Sequence, residues 1–486
     1  MKVKSNVYIN SVLYSGGNIL LKAFSFFLIP LYTAYLSTEQ YGVINLSTSF
    51  STLLGYVIVF GLQYSVKRYY TEYKDSSERV CRMYSTAINF ILILCAVTMV
   101  LFLPSVSLWS KYLLPELEIK VVVVSVLIAC TSSLTTIYQD ILKGMQQARK
   151  SVTVTYIMFF ILVAMNIIGV VVLKLGALAI LLSSLIGNTL LIGYMFYDLK
   201  KHSLYKFCFD KTELVYLIKY AAPLLPHTLA FSFSSYFSRI IITSELSLAI
   251  LGLYSLAIQF GSVSDIILNS VQSAFQPWMF DRMKENTMQS KAQIQHTTYI
   301  MMWIYGLLFI LIGAFSQEAI LIMANESYSM AWVYVPAIVF SVAVKSPLYF
   351  YNNFMYYERS KTKYIFYTTV VGSIISIIFM VILIPYFEVY GVILAEIIAL
   401  VVRLIMAIAF TKKEATGIYS LVKLEVLSLI PMVFLAVAVL PSYIYFNNEV
   451  SLINISFKTV VVLVYLFVFM ILYKGSVKNI IRMVQK

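Results

Sequence analysis

Charge is what this sequence has least of. Asp, Glu, Lys and Arg make up 12% of its 486 residues, against about 25% in soluble domains. Histidine occurs three times and cysteine four times. The cysteines, Cys81, Cys95, Cys130 and Cys208, have no metal-ligand spacing, so no zinc site or disulfide framework is expected, only free thiols. A phosphate loop, a catalytic serine elbow and a paired-histidine metal motif are all missing, which leaves no expectation of an enzyme, metal or cofactor. Long polar stretches are missing too, so no soluble domain is expected.

What is present is apolar, at 60% of residues. A membrane helix needs about 20 such residues, and the chain offers about fourteen runs of that kind, from 8–36 and 40–66 to 419–445 and 451–473. The loops test this division. With a cytoplasmic amino terminus, 27 of the 36 Lys and Arg fall on the inner side, while only Lys111, Lys120 and Lys174 lie in outer loops. That bias obeys the positive-inside rule and puts both termini in the cytoplasm. It also accounts for the net charge of +14 without nucleic acid.

The chain carries an internal repeat. Shifted by 210 residues, positions 25–50 match at Ser25/Ser235, Phe27/Phe237, Thr33/Thr243, Leu36/Leu246, Ser37/Ser247, Gly42/Gly252, Leu46/Leu256 and Phe50/Phe260. Equivalent positions are separated by an even number of spans, as in parallel transporter repeats. The expected fold is an all-α polytopic membrane protein of two pseudo-symmetric six-helix lobes, residues 1–200 and 201–413. A further helix pair and tail fill 414–486.

Three polar stripes run through these spans. Ser11, Ser15, Asn18, Lys22 and Ser25 share one face of the first span. Thr228, Ser232, Ser235 and Arg239 share one face of the seventh, and Ser262, Asp265, Asn269, Gln272 and Gln276 one face of the eighth. Small polar residues often only join helices. Cations are more telling, because one at a helix centre costs roughly 2.5–3.5 kcal/mol on insertion scales. Lys22, Arg239, Lys345 and Arg403 are therefore candidate cavity residues, whereas Lys219 and Lys458, near span ends, are expected to snorkel. Asp265 and Glu396 are candidates for charge balance or for a coupling ion. Glu396 lies seven residues before Arg403, on about the same face. Pro223 and Pro226 are expected to bend the seventh span. Most of the 38 tyrosines suit interfacial belts.

The stretch Phe26–Leu46, FFLIPLYTAYLSTEQYGVINL, and the stretch Leu225–Gly261, LPHTLAFSFSSYFSRIIITSELSLAILGLYSLAIQFG, resemble the polysaccharide repeat-unit flippases. These are the Wzx-type members of the multidrug/oligosaccharidyl-lipid/polysaccharide exporter superfamily. The resemblance implies translocation of an undecaprenyl-pyrophosphate-linked oligosaccharide across the bacterial plasma membrane by alternating access. The product would serve O-antigen, capsule or exopolysaccharide synthesis, with proton or sodium coupling, and a polymerase and chain-length regulator as partners. Lys22 and Arg239 would then meet the pyrophosphate, with Lys345 and Arg403 as second choices. Ser15, Asn18, Ser25, Thr228, Ser232, Ser235, Asn269 and Gln272 would face the sugars. Family members often carry an acid just before the arginine that matches Arg239; here it is Ser238. Rival readings are a lipid II flippase of peptidoglycan synthesis, a multidrug exporter, and an oligosaccharide polymerase. The exporter favours an acidic cavity, and the polymerase needs a large outer loop.

Overall fold

The structure is a computed structural model that describes residues 16–17, 20, 24–420, 422–446 and 449–474. The described residues are helical, without strands. In chain order the helices are α1 (Ile29–Tyr35), α2 (Thr38–Val59), α3 (Leu62–Tyr73), α4 (Ser77–Phe102), α5 (Val106–Leu113), α6 (Ile119–Gly144), α7 (Ala148–Ile167) and α8 (Ala177–Lys201). There follow α9 (Lys211–Ala221), α10 (Leu225–Glu245), α11 (Leu248–Glu285), α12 (Met288–Ala314), α13 (Ser316–Met323), α14 (Val335–Tyr357), α15 (Thr362–Ala415), α16 (Lys423–Ile444) and α17 (Leu452–Leu472). Their starts obey local rules. Ser37 and Gln40 close a capping box on α2, Thr287 and Ser290 close one on α12, and Asp210 accepts from Thr212 N–H and Glu213 N–H at the start of α9.

Among the described residues, eleven helices are long and apolar enough to cross a membrane, and twelve if the pair α9–α10 is one span. That pair is bent by 62°, at the segment holding Pro223 and Pro226. The 54 residues of α15 would extend about 80 Å as one rod, far beyond the ~30 Å hydrocarbon layer. It is instead a hairpin. Glu388 leaves helical geometry at φ 49° and ψ −129°, and a Cβ on Gly391 would strike the backbone of Leu383. Across the two arms Tyr364 stacks on Phe410 at 4.3 Å and Lys361 pairs with Glu414. The break falls where the sequence divides 363–387 from 389–411. Counting the hairpin as two spans, fourteen needs one more, at 8–36, of which 8–15, 18–19 and 21–23 lie outside the described residues.

The described residues up to Gly252 form one compact unit and those from Leu253 onward another. Within the first, Leu62, Met83, Tyr84, Ile137 and Tyr138 form part of a core joining α3, α4 and α6. The segment after α8 is strapped onto the polar side of α4. Asn89 donates to Cys208 O, Ser85 Oγ accepts from Lys206 N–H, and Thr86 Oγ1 accepts from Asp210 N–H.

The 210-residue offset has a physical counterpart in this unit. A Cβ on Gly42 would overlap the carbonyl of Leu248, and a Cβ on Gly252 would overlap the carbonyl of Thr38. Thr38 and Leu248 are themselves 210 apart, so the contact is reciprocal, as at a two-fold interface. Only glycine lets the two helix starts touch backbone to backbone.

Within the second unit, α16 and α17 pack on α12 and α14. Tyr465 Oη donates to Trp303 O at 2.9 Å, and Tyr351 Oη donates to Glu425 Oε1 at 2.8 Å. Lys458 does not snorkel. It is fully buried, with Nζ 2.6 Å from Glu318 Oε1 and 3.2 Å from Gln317 Oε1, and Asn454 bridges Gln317 to Ser442. An acid on α13, 140 residues away, holds the cation inside; the hydropathy of α17 alone does not reveal it.

Two outcomes follow. Gly42→Ala and Gly252→Ala should each destabilise the protein by about 1–3 kcal/mol through overpacking. Gly193→Ala, with open space around it, should lie close to wild type in the same detergent melts. Equal melts for all three would remove the glycine contact from the account. Glu318→Gln should cost about 3–5 kcal/mol by leaving Lys458 buried beside a neutral amide. Joint replacement, Lys458→Met with Glu318→Gln, should recover much of that, and a double variant no better than the single would mean the pair is not the cause.

Candidate functional site

Two polar assemblies stand out, one in each unit. In the first unit α2 and α10 frame a cavity of about 230 Å³ lined by Asn45, Thr48, Ser49, Thr52, Tyr56, Phe231, Ser232, Ser235 and Arg239. Both helices are apolar over most of their surface, so their polar stripes have been brought face to face. Arg239 Nη1 donates to Ser235 O at 2.6 Å and to Ser235 Oγ at 2.8 Å, which folds the guanidinium back along its own helix. Ser238 Oγ donates to Ser235 O at 2.8 Å. Thr228 lies 3.1 Å from Tyr64 Oη on α3.

Three expected site residues, Ser15, Asn18 and Lys22, lie outside the described residues. Ser25 is described and half-buried on the segment leading into α1. The stripe on α2 was not singled out from the sequence, although Asn45, Thr48, Thr52 and Tyr56 recur at intervals of 3, 4 and 4. Helical periodicity therefore carried the signal. Its residues are neutral, and neutral stripes do not stand out beside one that ends in arginine.

In the second unit the stripe of α11 meets a matching stripe of α14. Lys345 Nζ lies 3.0 Å from Asp265 Oδ1, and Tyr349 Oη donates to Asn269 Oδ1 at 3.1 Å. Asn353 Nδ2 donates to Gln272 Oε1 at 3.4 Å, and Gln276 Nε2 donates to Asn353 Oδ1 at 3.1 Å. The ladder grades from half-exposed at the ion pair, with side chains 30% and 32% accessible, to buried at Gln272 and Asn353. An ion pair left this accessible inside a spanning helix requires a wet neighbourhood. Lys345 and Asp265, separate candidates in the sequence, are thus one group.

Arg403 and Glu396 stand elsewhere. Arg403 Nη2 donates to Ser373 Oγ at 3.3 Å and its aliphatic stem lies across Gly372, while Glu396 Oε2 accepts from Ser376 Oγ at 3.0 Å. Each reaches across the α15 hairpin to a serine of the other arm, and these contacts join the arms. Arg403 Nε is buried without a hydrogen-bond partner.

Water reaching Asp265 and Lys345 would screen their mutual attraction. A double-mutant cycle with Asp265→Asn and Lys345→Gln should return a coupling of about 1 kcal/mol or less in thermal unfolding. A coupling several times larger would mean a dry structural pair.

A family model described as polysaccharide biosynthesis protein matches residues 7–283. The chain is 25% identical over 299 residues to "Lsg locus putative protein 1" of Haemophilus influenzae, covering 57% of this chain and 67% of that protein. It is 24% identical over 222 residues to an uncharacterized membrane protein of the same organism, covering 43% and 54%. The matched stretches thus span between about half and two thirds of these relatives. Among solved structures, the lipid II flippase MurJ in an inward closed conformation superposes with a TM-score of 0.67 at 14% identity, covering 97% of this chain and all of that one. An inward-facing multidrug resistance MATE transporter of the MOP superfamily gives 0.67 at 11% identity, covering 82% and 94%. At such identities the likeness is one of fold.

Proposed function

We propose, on the premise that this chain belongs to the polysaccharide biosynthesis protein family, that it flips undecaprenyl-pyrophosphate-linked oligosaccharide repeat units across the bacterial plasma membrane. Both termini are cytoplasmic in this reading, and the product feeds surface polysaccharide synthesis. The observation that supports it best is Arg239 in a polar cavity between two membrane-spanning helices. A headgroup of sugars on a diphosphate is anionic and rich in hydroxyls. It crosses hydrocarbon only along a wet path that supplies cations and hydrogen-bond partners, while its prenyl tail stays in lipid. Arg239, Lys345 and the expected Lys22 supply the charge.

Alternating access by rocking of two lobes carries the headgroup from one face to the other. Asp265 is the coupling group. While Lys345 is paired with it, neither charge needs another partner. An arriving diphosphate competes for Lys345, and the released carboxylate then takes up a proton or sodium ion. The ion is thereby bound in step with the substrate.

The lipid II flippase reading shares this fold and a cationic path, and the family description, polysaccharide biosynthesis, favours the repeat-unit substrate. Deletion of the gene separates them. Lipid-linked repeat units should accumulate on the inner leaflet, shielded in spheroplasts from an impermeant sugar-modifying reagent, with loss of surface polysaccharide and continued growth. Lys22→Ala and Arg239→Ala should each reproduce the defect at normal expression. Lysis with blocked peptidoglycan synthesis would point to lipid II. Unpolymerised glycolipid on the outer face would overturn the flippase reading.

A further inference from the structure

The cavity between α2 and α10 has two chemically different walls. On α2, Thr48 Oγ1 donates to Ile44 O at 2.7 Å, Ser49 Oγ to Leu46 O at 2.8 Å, Thr52 Oγ1 to Thr48 O at 2.8 Å, and Asn45 Nδ2 to Tyr41 O at 2.9 Å. Each group directs a donor at its own helix. The hydroxyl oxygens consequently offer the cavity lone pairs, which only accept. Thr48 and Thr52 are exposed on this face in the middle of a spanning helix. The opposite wall holds Arg239, whose guanidinium only donates.

An anionic group does not suit the three hydroxyls of the α2 wall, beside which Asn45 and Tyr56 keep an N–H and an O–H to donate. A diphosphate set against three acceptor oxygens is repelled unless the hydroxyls turn and give up their helix carbonyls. A row of O–H or N–H donors suits it well. The complementary ligand carries donors along one edge and an anionic oxygen at the other. A single sugar ring does so, with its hydroxyls toward α2 and either the phosphate on its first carbon or a carboxylate toward Arg239. The cavity, of about 230 Å³ and open to one side, seats one sugar ring and leaves the rest of an oligosaccharide outside it.

We propose that this cavity is a monosaccharide subsite, in which Thr48, Ser49 and Thr52 accept hydrogen bonds from sugar hydroxyls and Arg239 holds the ring's anionic substituent. The assignment rests on the flippase reading and adds to it the part of the headgroup recognised here. Thr48 and Thr52 become specificity-determining residues of a kind that a cationic path alone does not require.

The test uses the full-length protein in lipid nanodiscs and three probes. They are prenyl diphosphate without sugar, prenyl diphosphate bearing one neutral N-acetylhexosamine, and prenyl diphosphate bearing one hexuronic acid. Wild type should bind a single-sugar lipid about tenfold more tightly than the sugar-free one, roughly what two neutral hydrogen bonds supply. In Thr48→Val/Thr52→Val, which keeps the shape and removes the acceptors, that ratio should fall to about one. Thr48→Ser should keep it, since the acceptor remains. Arg239→Gln separates the sources of the anion: loss with both single-sugar lipids indicates the phosphate, and loss with the uronic acid alone indicates the carboxylate. Equal wild-type affinity for sugar-free and sugar-bearing lipids overturns the subsite and leaves the flippase reading standing, whether or not the double variant folds. A double variant that keeps the ratio does the same. Wild type binding none of the three lipids removes the flippase reading itself.

Discussion

Hydrocarbon offers no hydrogen bonds, so every polar group that enters it must be met by the protein or by water the protein admits. The described structure follows from how that demand is met. Isolated hydroxyls turn onto the preceding helical turn, as Thr48, Thr52, Ser125 and Ser183 do. Larger polar groups find partners on other helices. Lys458 takes Glu318, and Asn353 joins Gln272 to Gln276. At the α2–α10 cavity and around Asp265 and Lys345 the polar groups have such partners and yet stay accessible, and there a solute has reason to enter.

Close backbone approach is the second way in which these helices are held together. Glycines at 42 and 252 bring two helix starts into backbone contact, and the hairpin at Glu388 lets two arms of one long helix cover each other. In a membrane such contacts replace the hydrophobic drive that packs soluble helices. A contact built on reciprocal glycines is also a contact without hydrogen-bonded side chains. It separates without stranding polar groups, which suits a protein whose proposed work requires its helices to move.

Much of this was legible in one dimension. The turn at 388, the bend at Pro223 and Pro226, and the polar faces of α10 and α11 all show in hydropathy, proline placement and helical spacing. The 210-residue repeat could be read from identities, and Gly42/Gly252 was among them. Other features were not legible. Lys458 looked like a snorkelling residue because its partner is on α13, far away in sequence. Arg403 and Glu396 share a face of one helix, which left open whether they compensate each other or contact other helices; each reaches for a serine on the opposite arm. The α2 stripe has the right spacing, but its neutral residues carry no sign of what they face.

The sequence by itself determined the solvent, the spans and the polar face of each helix, because those depend on composition and on the 3.6-residue period along one segment. Tertiary structure decided which face meets which. That choice depends on how each helix is rotated about its axis and set against its neighbours, which no single segment encodes. It made one group of Asp265 and Lys345, 80 residues apart, and it turned two ordinary stripes, on α2 and α10, into the walls of a single cavity.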